Sequence, residues 1–107
     1  MIVHIVERRD WEQAQQAGEY RAVSLMTEGF IHTSRPEQVL PVANRFYQGT
    51  PDLLLLWIDP QRLMAPLRYE VSDGEIFPHI YGPLNLECVI RVSVLVPDAD
   101  GVYRILN

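Results

Sequence analysis

This chain has almost no cysteine, since Cys88 is its only one. A single thiol excludes an internal disulfide and every cysteine-based zinc motif, and its apolar neighbours describe a small buried side chain in a reducing compartment, the cytoplasm. Long hydrophobic runs are missing too. The longest uninterrupted stretch, Leu53 to Ile58, is far short of the roughly 20 apolar residues that a membrane span needs. No charged-then-apolar leader precedes the first strand, so a soluble protein is expected. Clustered positive charge is absent as well: the nine basic residues are scattered and the formal net charge is −5. An extended phosphate backbone would meet net repulsion, which argues against nucleic acid as a partner.

With 107 residues, 48% hydrophobic and 21% charged, the chain can bury a core as one domain spanning 1–107. Met1 to Val6 reads as a strand. Asp10 as N-cap, Trp11, Ala14 and Ala17 at helical spacing and Gly18 as stop define a first helix. Glu19 to Glu28 reads as polar and irregular, followed by a brief strand, Phe30 to His32. Ser34-x-x-Glu37 forms a capping box for a second helix, with Val39, Leu40, Ala43, Phe46 and Tyr47 on one face and its end at Gly49, and Pro41 is expected to kink it or postpone its regular start. Leu53 to Ile58 is apolar on both faces and predicts a central strand. Leu67 to Val71 alternates, with Arg68 and Glu70 on one side. Asp73-Gly74 predicts a turn, Ile76 to Tyr81 an extended piece, and Cys88 to Val96 a strand, with Val102 to Ile105 pairing back across the turn at Asp98 to Gly101. The expected class is α+β: two N-terminal helices on a mixed or antiparallel sheet.

Three histidines, His4, His32 and His79, are the only ones, and each lies in an apolar, strand-like stretch. Imidazole is the side chain best suited to move protons near neutral pH, so a shared pocket is one reading. Three separate core histidines, each hydrogen-bonded on its own, is the other. They have no short spacing and no acidic helper at a recognised offset, so no metal is expected.

The strings His4-Ile5-Val6, Glu28-Gly29-Phe30-Ile31-His32-Thr33-Ser34, Pro36-Glu37-Gln38-Val39, Asn44-Arg45-Phe46 and Phe77-Pro78-His79-Ile80-Tyr81-Gly82-Pro83-Leu84 resemble a bacterial family named domain of unknown function 952. More remotely, a histidine in strand one, a His-Thr-Ser strand end opening a helix and a late extended segment resemble the ADP-ribosyltransferase fold, with its split sheet, and especially its RNA 2′-phosphotransferase branch. That resemblance implies NAD as cofactor. It makes His4 an anchor for the nicotinamide-side ribose and puts His32 beside the ring and ribose. Thr33 and Ser34 would hold pyrophosphate at a helix N-terminus, and Arg35 would be the one match to the phosphate-reading arginines. Where the toxin-like branch has a catalytic glutamate, this chain carries His79 and Tyr81, so Glu70 from the neighbouring strand is the candidate carboxylate.

Two functions follow. One is an NAD-type transferase or hydrolase in which His4 and His32 orient the sugar, His79 or Glu70 acts as acid/base or charge stabiliser, and Tyr81 stacks on a ring. The other is a non-catalytic module binding a nucleotide or small metabolite.

Overall fold

Ile2, Val3, Ile5 and Val6 are β-branched, and β1 spans Ile2–Glu7. A computed structural model describes residues 1–106. The chain passes straight from β1 into α1 (Arg8–Ala17), which begins before the expected cap at Asp10 and has Glu7 at its N-cap. Gly18 ends it in the left-handed region (φ 89°), its N–H bonded to the Ala14 carbonyl.

The polar stretch that follows is not irregular. It holds β2 (Glu19–Tyr20) and a third, short helix, α2 (Val23–Thr27). β2 exists because β7 (Leu84–Asn85), far along the chain, pairs with it, a partnership that local pattern cannot reveal. Nothing in α2 is buried. After β3 (Ile31–His32) the expected Ser34 cap is also corrected. Ser34 pairs its backbone with Val3 through two 2.8 Å hydrogen bonds, and the next turn is a 3₁₀ turn, Pro36–Gln38. There the Gln38 side chain accepts the Arg35 N–H at 2.9 Å. α3 (Val39–Phe46) follows directly. Pro41 falls in its first turn, where a missing N–H does least harm.

The remaining strands are β4 (Leu53–Ile58), β5 (Leu67–Ser72), β6 (Glu75–Ile80) and β8 (Val89–Leu95). They build two three-stranded sheets, β1-β4-β8 and β3-β6-β5, and every pairing is antiparallel. Cys88 lies in a 3₁₀ turn just before β8 rather than in the strand. Val102 to Ile105 forms no strand. Asn44 instead grips Tyr103 by its N–H and its carbonyl, both at 2.8 Å, and docks that ring in the core.

β4 is central, as its apolar run implied. Leu54, Leu56 and Ile58 pack with Ile2, Val6 and Trp11 under α1. Leu53 and Leu55 pack with Val3, Ile5, Val39 and Ala43 under α3. The period of two thus serves two cores, and each buried leucine contributes about 1.5–3 kcal/mol. Leu56→Ala should lower unfolding free energy by about 2–5 kcal/mol in urea denaturation at pH 7. A midpoint unchanged from the parent would contradict this two-sided packing.

Candidate functional site

The second sheet touches the first through the Val3–Ser34 bridge. Its register is set by the β5–β6 hairpin, where Asp73 (φ 52°) and Gly74 (φ 80°) both take the left-handed conformations of a tight hairpin turn. Glu70 is thereby fixed opposite Phe77, and Arg68 opposite His79. On the other side His79 faces His32 of β3. Because side chains alternate, His32, His79, Phe77, Tyr81, Arg68 and Glu70 share one face. Pro78 is tolerated in this middle strand because its carbonyl points to Thr33, just beyond the end of β3, so no ladder bond to β5 is lost.

This face continues into a cleft of about 490 Å³ between the sheet and α3. His32, His79 and Phe77 line its floor, and Val42, Arg45 and Phe46 its α3 wall. His79 Nδ1 lies 2.8 Å from Glu70 Oε1, and the same oxygen accepts the Tyr81 hydroxyl. Those two donors hold the Glu70 carboxyl below the ordinary carboxylate range, the tyrosine contributing most. A carboxylate can only accept, so Nδ1 carries the proton, and in the neutral ring Nε2 bears the lone pair. That Nε2 is buried with no hydrogen-bond partner among the described residues. The Phe30 ring stacks on His79 at 4.0 Å and 20°. His32 meets the His79 ring edge-on at 5.6 Å and pairs its Nε2 with Glu28 at 2.9 Å. The arrangement offers an oriented base at an apolar floor, beside a second imidazole that solvent reaches.

His4 is elsewhere, which corrects the expected meeting of three imidazoles. Val3 and Ile5 line the cleft, so His4 points to the opposite face of β1. It is 6% exposed, with Nδ1 donating to the His32 carbonyl at 2.6 Å and Nε2 accepting the Tyr20 hydroxyl at 2.8 Å. Neither nitrogen is left to hold a ribose. The other expected binding residues are also engaged. Thr33 lines the cleft but donates its hydroxyl to the Pro78 carbonyl, Ser34 lines it without capping a helix, and Arg35 reaches the Ile76 carbonyl. Tyr81 gives its hydroxyl to Glu70 and one ring face to Arg68, 4.8 Å away, so it orients the carboxylate and does not offer that face for stacking.

Sequence reasoning missed Phe30, Glu28 and Tyr20. Phe30 was legible, since period two places Phe30 and His32 on one face of the same strand. Tyr20 meets His4 only through the tertiary fold, whereas Glu28 pairs with a histidine close to it in sequence.

The profile of a family described as a protein of unknown function, DUF952, matches residues 5–92. The chain belongs to the DUF952 family. Among solved structures, the crystal structure of protein CC0527 from Caulobacter crescentus is similar at 35% identity with TM-score 0.87, covering 96% of this chain and 92% of that one. The solution NMR structure of CC0527 is similar at 35% identity with TM-score 0.83, covering 96% and 90%. No functionally curated protein matches this DUF952 chain.

Burial lowers the His4 pKa to about 4 from an ordinary 6.5, against the opposing pull of the His32 carbonyl. The unfolded chain therefore binds the extra proton between those values, and the neutral-ring contribution is whole above pH 6.5 and lost as pH falls toward 4. From pH 7 to 4.5 the parent should lose about 2–3 kcal/mol relative to His4→Asn, which keeps a donor for the carbonyl but does not titrate. Parallel pH profiles from urea denaturation of the two proteins would refute the buried neutral ring.

Proposed function

We propose that this DUF952 protein cleaves the glycosidic bond of an N-ribosylated pyridinium, the chemistry of NAD-consuming ADP-ribosyltransferases, with the Glu70–His79 pair as its base. The observation that carries the reading is the unpartnered, buried Nε2 of His79 in a cleft-lining residue whose other nitrogen is fixed by a carboxylate. It is supported by the position of Glu70, which puts a carboxylate beside the late extended segment even though that segment itself carries His79 and Tyr81. The likeness to the split-sheet ADP-ribosyltransferase fold belongs to this proposal, as does a cytoplasmic setting, supported by a lone buried thiol that desolvation pushes up to about 11.

In the step proposed, the bond from the sugar C1′ to the ring nitrogen breaks and its electron pair stays on the nitrogen, releasing a neutral pyridine. Water, or an acceptor hydroxyl, adds its oxygen to C1′ and gives its proton to His79 Nε2. Glu70 stabilises the imidazolium so formed, and Tyr81 holds Glu70 in place. His32 contacts the sugar hydroxyls from the solvent side. A non-catalytic binding module is the second reading, favoured by Glu70 Oε1 being already engaged by two donors.

The protein incubated with NAD or nicotinamide riboside should release free nicotinamide, measured by chromatography. His79→Gln and Glu70→Gln should each slow release by roughly 100-fold or more. Saturable binding with no release would select the module, and neither binding nor release would reject both readings.

A further inference from the structure

All nine cationic side chains of the protein are arginines, and those near the cleft are already occupied. Arg45 lines the cleft, yet it lies 3.6 Å from Asp73 across the mouth and 5.0 Å over the Phe46 ring. Arg35 reaches the Ile76 carbonyl at 3.4 Å, and Arg68 lies over Tyr81. Backbone amides give no substitute. The way into α3 is a 3₁₀ turn opened by Pro36, which has no N–H, and the Arg35 N–H is taken by Gln38. A phosphate arriving here would have to compete with Asp73 for Arg45 and would meet no helix N-terminus. It would instead meet an excess of negative charge, because Glu75 lines the same cleft beside the Arg45–Asp73 pair. Phe77 adds an aromatic face that attracts a cation, while the Phe46 ring already carries Arg45.

The geometry points to a nucleoside site: a phosphate-free, cationic N-ribosylated aromatic, with its ring on Phe77 beside the Glu75 carboxylate and its ribose turned toward His79. This rests on the glycosidic reading above and narrows it. The pyridinium's positive charge, lost when the ring leaves, is complementary to the acidic rim. A diphosphate bridge is not.

The decisive comparison is kcat/KM for nicotinamide riboside, nicotinamide mononucleotide and NAD at low salt, with binding of the same three compounds followed by calorimetry. The riboside should exceed both phosphate-bearing compounds by roughly tenfold or more, about 1.4 kcal/mol. Added salt should narrow the gap, as rim charges are screened. Asp73→Asn combined with Glu75→Gln should bring the three within about threefold of one another, asparagine being well suited to the left-handed turn position. Arg45→Gln should leave the order intact. Equal or better use of NAD or the mononucleotide would overturn the inference while leaving the glycosidic reading standing. If no compound yields nicotinamide, the glycosidic reading fails, and the binding order alone decides this one: a riboside that does not bind, or binds no better than NAD, overturns it.

Discussion

The cleft depends on how β3 is pinned. That strand has only two residues and pairs along its length with β6 alone, so its position against the first sheet rests on the burial of Ile31 in the core and on a few polar contacts. Ser34 exchanges both backbone bonds with Val3, and two residues earlier the His32 carbonyl accepts a hydrogen bond from His4. Together these hold His32 opposite His79. His4 is suited to the task because one small ring supplies a donor for the carbonyl and an acceptor for Tyr20 while remaining uncharged among apolar neighbours. The histidine of strand one therefore works on the site from behind, by fixing backbone.

Its neutrality follows from the same placement. An imidazolium there would lack water and would lie near His32, and both effects lower its proton affinity. Tyr20 is likewise buried, and its ionisation is pushed well up by desolvation. The His4–Tyr20 pair is thus a fixed dipolar contact at neutral pH and carries no titratable switch in that range. The functional asymmetry among the three histidines is one of surroundings: closed and satisfied at His4, open to solvent at His32, enclosed and half-satisfied at His79.

Much of the scaffold was legible because its signals are local. The run at Leu53–Ile58, the alternation at Leu67–Ser72, the Asp73-Gly74 turn and the Gly18 stop each depend on side chains close in sequence. What escaped was decided at a distance. β2 needs β7, Tyr103 needs Asn44, and Ser34 is claimed by Val3 before it can cap a helix. At the site, the proximity of Glu70 to His79 was accessible from strand alternation and a tight hairpin, since together they put the carboxylate diagonal to the imidazole. The separation of His4 was also implicit, because Val3 and Ile5 must face the opposite way from it. Sharing of residue type suggested a common pocket, whereas strand parity divided it.

The orphan nitrogen is the strongest reason to assign this face a ligand. Leaving a buried polar group without a partner costs about 1–3 kcal/mol, a sizeable part of a small domain's stability. The ring cannot relieve that cost by turning, because Nδ1 is held by Glu70, Glu70 by Tyr81, and the ring face by Phe30. A leucine at position 79 would fill such a floor without any unsatisfied atom. Instead the chain places an imidazole there and uses a carboxylate, a phenol and an arginine to aim it. Groups so constrained, with one buried atom left unpaired in a residue that lines a cleft, are arranged for a partner from outside the chain.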